Sequence, residues 1–461
     1  MKNSVLTFLF SLITITSFSQ AGGLDLTFNP GTGANNAVYT SAVQTDGKII
    51  IAGNFTSYNG SPVNRIARLN SDGSLDETFV TGTGADALIN SASIQTDGKI
   101  IIAGDFSSYN GVVRNRIARI NSDGSLDETF NPGSGSISEL LTTAIQPDGK
   151  ILVGGRFSYF GGLEQNRITR LNPDGSVDEG FNTGTGASGD VYLLAPQIGG
   201  KILLVGDFEL FNGTSKKRIA RLNLDGSLDE SFNPESGANS WINTFVVNSD
   251  GKIIIGGDFT AYNEIPANRI ARLNPDGSLD ESFNIGTGFN KMVITSSIQS
   301  NGKIIVGGDF TSINGTPINR IARLNTDGSL DGTFDVGTGA SSFVWTSAIQ
   351  PDGKIIIGGF FGLYGGTIIN RIARILGITE VSEISESISE STANIYPNPT
   401  TALVNIQTNE KIETIQIFNS IGELVQQENT SNFSVADLPN GIYFIHLKTS
   451  ERVITQRLVK E

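Results

Sequence analysis

The stretches QTDGKIIIAGNF (44–55) and NRIARLNSDGSLDETF (64–79) decide the fold, because both recur along the chain at a fixed interval. The hairpin glycine of the first falls at Gly47, Gly98, Gly149, Gly200, Gly251, Gly302 and Gly353, each step being 51 residues. Arg65, Arg116, Arg167, Arg218, Arg269, Arg320 and Arg371 keep the same step in the second. So do Phe28, Phe79, Phe130, Phe181, Phe232, Phe283 and Phe334, which close a Leu-Asp-x-x-Phe (Val177 for Leu in one copy). Self-similarity at a period of 40–50 residues marks a repeat architecture. Seven copies without an insertion or deletion imply a closed, symmetric one.

Each copy spells four short strands. Val38 to Gln44 is the first, and Asp46-Gly47 is a pair that favours a type I′ hairpin. Lys48 to Phe55 is a continuous apolar run that suits a strand buried on both faces. Arg65 to Asn70 is the third, and Asp72-Gly73 turns into the fourth, Leu75 to Phe79. Four strands per copy predict an all-β, seven-bladed β-propeller. Leu24-Asp25-Leu26-Thr27-Phe28 is a fourth strand without its first three, and the last copy stops after Arg374 without its fourth. The N-terminal strand is therefore expected to complete the last blade and close the ring.

Composition removes much chemistry. The 461 residues include 55 Gly, a single His, no Cys, and a formal net charge of −14. Gly at this level suits a turn-rich β protein. Without Cys there is no thiol nucleophile, zinc–thiolate site or disulfide, and one His (His446) excludes a multi-His metal site. The acidic balance argues against nucleic-acid backbones as partners.

Most repeated residues read as scaffold. Two seven-fold Phe columns, those of Phe28 and Phe55, suit the core between blades. Gly53 and its equivalents suit a bulge or a close backbone approach. Arg65 and Arg68 are both expected to pair with the Asp76 carboxylate, as are their equivalents. The segment Asn70 to Asp76 resembles the later part of a calcium loop, but the first ligand position falls on Arg68. A hydrogen-bonded Asx turn is the preferred reading, with calcium as the alternative and no other cofactor implied.

With strands in radial order, the Asp-Gly hairpins share one nearly invariant face. The loops entering the first strand and those between the second and third share the other, where the copies differ. One varying column reads Ala37, Leu88, Glu139, Asp190, Trp241, Met292, Phe343; another reads Tyr39, Asn90, Leu141, Tyr192, Asn243, Ile294, Trp345. Tyr39, Asn90, Glu139, Asp190, Tyr192, Asn239, Trp241, Asn243, Asn290 and Trp345 are the candidate binding residues. Aromatic platforms beside amides and carboxylates suit sugar stacking or a protein contact, and equally a plug of the central channel. Glu139 and Asp190, on adjacent copies, are the one candidate acid–base pair for glycoside hydrolysis; otherwise no catalytic residues are expected.

The ends read as addresses. Lys2, the apolar Val5 to Ile15 and Ser17-Phe18-Ser19 form an expected signal peptide, residues 1–19, and no transmembrane segment follows. The propeller is expected over 20–376 and an acidic, Ser-rich linker over 377–393. A small β-sandwich is expected over 394–461, with strands at Ala402–Gln407 and Thr414–Asn419 and His446 on its surface.

Two resemblances follow from these residues. Gln-Pro-Asp-Gly-Lys-Ile at 350–355 and Asn-Pro-Asp-Gly-Ser-Leu-Asp-Glu-Ser-Phe at 274–283 resemble delta-60 repeats, which implies a secreted propeller without a settled activity. The fourth copy departs from the pattern, with Gly199-Gly200, Pro196 and Lys217, so an altered hairpin or an irregular strand is expected there. The tail resembles the type A C-terminal sorting domain of the type IX secretion system found in Bacteroidetes. Tyr396, Pro397, Asn398, Pro399, Gly422, Leu438, Gly441, Tyr443 and Lys460 carry that match. It implies the secretion machinery as a partner and a secreted or outer-membrane cell-surface location. The leading expectation is a non-catalytic binding or adhesion propeller with a glycan or protein ligand. The alternatives are a polysaccharide-binding or polysaccharide-degrading accessory protein, and a purely structural surface protein.

Overall fold

The run Ile49–Gly53 is buried at every position, because it has a strand on each side and a neighbouring blade on each face. In the computed structural model it lies between an inner strand, Val38–Val43, and an outer one, Ile66–Leu69, both antiparallel to it. All seven blades repeat this three-stranded order. Residues 18–377, 380–381, 393–408, 411–419, 423–449 and 453–461 are described. The expected signal peptide up to Ser17, most of the expected linker and Gly422 lie outside them. The chain forms two compact units, Met1–Ser382 and Glu383–Glu461.

The expected fourth strand is not one. Leu75 makes a single bridge to Leu69, after which the chain turns. Asp76 causes this: its N–H donates to the Arg68 carbonyl, while its carboxylate accepts the Thr78 N–H at 3.0 Å and hydroxyl at 2.7 Å. An Asx turn of this kind competes with strand pairing. A small hairpin, Ser57–Tyr58 with Ser61–Pro62, packs instead beyond the second strand. The Asp-Gly hairpins are not type I′ either. Gly47 has φ 81° but Asp46 is not left-handed, and Gly47 N–H donates to Gln44 O while Gln44 N–H donates to Lys48 O. This is a type I turn followed by a glycine bulge. The fourth blade keeps the same inner strand as the others, Val191–Pro196, and changes only its hairpin, to a 3₁₀ turn at Ile198–Gly200.

Blades are held by the two Phe columns and by one arginine each. Phe28, Phe79, Phe130, Phe181, Phe232, Phe283 and Phe334 are buried, as are Phe55 and its six equivalents. Each buried ring contributes roughly 1.5–3 kcal/mol. Arg68 Nε meets Asp76 at 2.6 Å, its Nη1 donates to the Ser122 carbonyl of the next blade at 2.5 Å, and its guanidinium lies 4.9 Å from the Phe79 centroid. One side chain thus ties its own blade to the following one.

The same clamp closes the ring. Leu24 bridges Ile375, Asp25 N–H donates to the Arg374 carbonyl, and Arg374 Nε meets the Asp25 carboxylate at 2.7 Å. Ser41 and Thr346, on the first and seventh inner strands, bring their hydroxyls within 3.0 Å. The N-terminal segment therefore completes the seventh blade, through a bridge rather than a full strand.

The Gly53 column marks a bulge. Val38 pairs with Gly53 and Thr40 with Ala52, so Tyr39 is the extra residue, and the same shift recurs in every blade. A Cβ on Gly359 would fall 2.0 Å from the Phe343 carbonyl oxygen, inside any tolerable contact. Gly359→Ala is therefore expected to cost at least about 1–3 kcal/mol, the usual range for overpacking. An unchanged melting temperature would show that the bulge adapts.

In the second unit, Ala393–Tyr396, Leu403–Thr408 and Asn432–Ser434 form one sheet. Leu424–Glu428, Ile412–Phe418, Gly441–Thr449 and Val453–Lys460 form the other. Val404, Ile406 and Phe433 of the first share a core with Ile415, Ile445 and Leu458 of the second.

Candidate functional site

The bulges decide what the variable face presents. An extra residue in a strand bends it and re-aims the side chain, and the bulge residues are Tyr39, Asn90, Leu141, Tyr192, Asn243, Ile294 and Trp345. All seven are partly or largely accessible. The carbonyl two residues earlier is fixed by the N–H of the residue after the repeated glycine, as in Asn54 to Ala37 at 2.9 Å and Phe360 to Phe343 at 2.9 Å. An invariant backbone thus displays two varying columns.

These residues form two groups. In the first, Tyr39 and Trp345 lie with ring centroids 4.7 Å apart, and Phe343 is 6.1 Å from Trp345. In the second, Tyr192 packs edge-on to Trp241 at 6.4 Å. Beside that pair, Arg156 bridges Glu139 at 2.7 Å and Asp190 at 3.0 Å, while Asn90 donates to Glu139 at 2.9 Å. Burial pushes the Tyr192 phenol up to about 12, helped by the charges of Asp207 and Asp190. Burial, with Glu139, also raises Tyr39 against the opposing pull of Arg65.

Not every candidate is displayed. Asn239 Oδ1 accepts the N–H groups of Thr260 and Ala261, and its Nδ2 donates to the Thr260 hydroxyl. Asn290 does the same with Thr311 and Ser312. Both lock their own loops. Asn243 donates to the Val293 carbonyl at 3.3 Å.

The geometry bears on the candidate acid–base pair and corrects the expected role of Arg65. A hydrolytic pair needs one protonated carboxylate and an open gap for the sugar, but the Arg156 guanidinium occupies the space between Glu139 and Asp190. Arg65 does not pair with Asp76. It has φ 69°, and its Nη1 donates to the Asn54 carbonyl at 2.6 Å on the variable face. All six equivalents share the left-handed φ. Arg68 makes the ion pair alone with Lys48, which meets Asp76 at 2.7 Å. At the Asp-Gly-Ser turns, Asp72 Oδ1 accepts the Ser74 N–H at 2.9 Å and hydroxyl at 2.6 Å, which is Asx-turn geometry. Among the described residues no three His, Cys, Asp or Glu side chains group as metal ligands.

Arg156, Phe360 and the Arg65 column were missed as variable-face residues. Arg156 carried a signal: it stands in the column Asn54, Asp105, Arg156, Asp207, Asp258, Asp309, Phe360, where four residues are carboxylates. On the opposite face, a cavity of about 580 Å³ lies beside Ile198, which is 97% exposed at the altered hairpin of the fourth blade.

In seven segments from residue 44 to residue 376, just over half of the chain, the sequence matches a domain of unknown function (DUF5122) beta-propeller. The chain belongs to this family. Residues 394–461 match the secretion system C-terminal sorting domain, the type IX tail, so the propeller is cargo for export to the cell surface or beyond. Within that tail Asn398 Nδ2 donates to Arg457 O at 2.7 Å, its Oδ1 accepts the Val459 N–H, and Lys460 pairs with Gly441. The Tyr443 hydroxyl donates to Pro439 O, and Leu438 packs against the core. Apart from Gly422, the residues that carry the sorting match therefore lie in one connected part of the unit. No helix among the described residues is long and apolar enough to cross a membrane.

Among solved structures the DUF5122 chain is similar to the extracellular domain of a hybrid two component system from B. thetaiotaomicron (14% identity, TM-score 0.46, 97% of this chain and 58% of that one). It is also similar to PorZ, a surface component of the type-IX secretion system of Porphyromonas gingivalis (13% identity, TM-score 0.32, 92% and 66%). A third is a gluconolactonase from Xanthomonas campestris (11% identity, TM-score 0.38, 78% and 97%). The chain spans less than two thirds of the first two. No curated protein sequence matches it.

Proposed function

We propose that this exported DUF5122 propeller is a non-catalytic binding or adhesion module that contacts its ligand through the variable face. The observation that carries the reading is the seven-fold bulge: the backbone of that face is fixed, and the residues it pushes outward are those that differ between blades. Rigid scaffolds place recognition on such edges. Large aromatic side chains left open at Trp241, 46% exposed, and Trp345, 37% exposed, suit a stacking ligand. The Arg156 bridge between Glu139 and Asp190 speaks against hydrolysis by that pair.

The reading is tested by screening the purified chain against a glycan panel beside Trp241→Ala and Trp345→Ala. Loss of a base-stacking-sized contact, about 1–3 kcal/mol, corresponds to a roughly 5- to 150-fold fall in affinity for the variant at the ligand. Both tryptophans are partly open to solvent, so the folds are expected to survive. Unchanged binding in both variants would remove the site from this face. The second reading, a polysaccharide-binding accessory protein, is favoured by the two aromatic pairs and predicts affinity that rises with chain length of the sugar.

A further inference from the structure

We propose that the part of the variable face shared by the seventh and first blades takes an anionic saccharide, one bearing carboxylate or sulfate groups. The inference rests on the reading of that face as a binding surface and adds the chemistry of the ligand.

The evidence is how the charges are sorted around the ring. Five arginines of the Arg65 column have carboxylate partners: Arg116 with Asp105, Arg167 with Asp190, Arg218 with Glu209, Arg269 with Asp258, and Arg320 with Asp309, at 3.1–3.7 Å. The remaining two, Arg65 and Arg371, have none among the described residues. The position that supplies the partner in three of those blades, as Asp105, Asp258 and Asp309, holds Asn54 and Phe360 in these two. These two blades are neighbours, joined at the ring closure. Arg65 Nη1 meets only the Asn54 carbonyl and amide oxygens, and Arg371 Nη1 meets only the Phe360 and Phe361 carbonyls. The Nε of each is buried without a hydrogen bond, as it is in four of the five paired arginines, and no hydrogen bond from Nη2 of either is found among the described residues. In a chain of net charge −14 these are two uncompensated guanidinium groups on one sector.

The same sector carries the aromatic surface. Tyr39 of the first blade and Trp345 of the seventh lie with ring centroids 4.7 Å apart, tilted by 31°, and the Arg371 guanidinium lies 4.6 Å from the Phe360 ring, itself 45% exposed. Aromatic faces pack against sugar rings, and guanidinium forks match carboxylate or sulfate oxygens two at a time. Across the ring, Arg156 is already neutralised by Glu139 and Asp190, so an anion gains nothing there.

The test titrates the purified full chain with oligogalacturonate and its methyl ester, and with dextran sulfate and dextran, at low and raised salt. The expected result is at least tenfold tighter binding of an acidic form than of its neutral counterpart, weakened by salt. Preference for oligogalacturonate identifies carboxylate as the group read, and preference for dextran sulfate identifies sulfate. Arg65→Gln and Arg371→Gln are expected to lose about tenfold each with an unchanged melt, and Asp258→Asn to lose none. Equal affinity for acidic and neutral forms overturns this inference and leaves the binding role standing. No saccharide bound at all overturns both. Binding of poly-glutamate in place of either polysaccharide overturns it in favour of an acidic protein partner. Should an arginine variant fail to fold, the ester comparison on the unaltered chain still decides.

Discussion

Asp25→Ala is expected to destabilise the propeller by about 3–5 kcal/mol, the cost of removing one partner from a buried ion pair. Asp25 is 4% exposed and meets Arg374 at 2.7 Å and Lys354 at 3.1 Å, so its loss takes the carboxylate away from the buried Arg374 guanidinium. On the usual relation between free energy and midpoint this is a fall in melting temperature on the order of 10 °C. The same substitution in an interior blade removes a similar clamp, but there chain continuity keeps the fourth segment beside its partners. At the seam, Asp25 reaches Arg374 from 349 residues away in sequence, and nothing covalent holds it there. Deleting residues 24–28 removes the buried Phe28 as well, and is expected to cost more than the point change. Hydrogen exchange separates closure from general weakening. With Asp25→Ala, the amides of Ile372–Ile375 are expected to lose protection first, while Ile270–Leu273 hold theirs. Even loss of protection around the ring would show that the seam is no weaker than any other blade junction.

The architecture was legible because repetition multiplies weak signals. A single Asp-Gly or Leu-Asp-x-x-Phe means little, but seven in register fix blade number, closure and core. What failed was local geometry that period-2 patterning does not encode. Leu75 to Phe79 looks like a strand, yet the Asp76 carboxylate captures the Thr78 amide and turns the chain after one bridge. Arg65 and Arg68 look like a pair, yet residues three apart in a strand point to opposite faces, and Arg65 is left-handed besides. The variable face was legible as a set of columns. Its chemistry was not, because neither the Arg156 bridge nor the lack of carboxylates around Arg65 and Arg371 exists until the blades are side by side. The link between the two readings was also hidden: the invariant glycine and the varying aromatic are two halves of one bulge.

The stability of the propeller is expected to be flat from neutral pH to about pH 5 and to fall steeply below about pH 4. Each blade junction holds one carboxylate, Asp25, Asp76, Asp127, Asp178, Asp229, Asp280 or Asp331, against an arginine of the clamp. Burial by itself raises each of these groups. Hydrogen bonds from the lysine, the arginine and, in all but Asp178, the following Thr or Ser outweigh burial and hold each below the usual range. Asp25 is brought down to about 2. A carboxylate whose pKa is depressed by folding contributes stability above its unfolded value, near 3.9, and loses that contribution as pH falls through the folded one. The window for Asp25 is therefore from about pH 4 to about pH 2, and it extends lower for the more strongly depressed members. With seven groups acting together, unfolding would take up as many as seven protons, or roughly 10 kcal/mol per pH unit at the steepest point. Melting temperature against pH, with calorimetric enthalpy to convert it to proton uptake, measures this directly. An uptake of only one or two protons near pH 3 would mean that the clamps do not act as a set. A fall centred near pH 6 would place the acid sensitivity outside the clamps altogether.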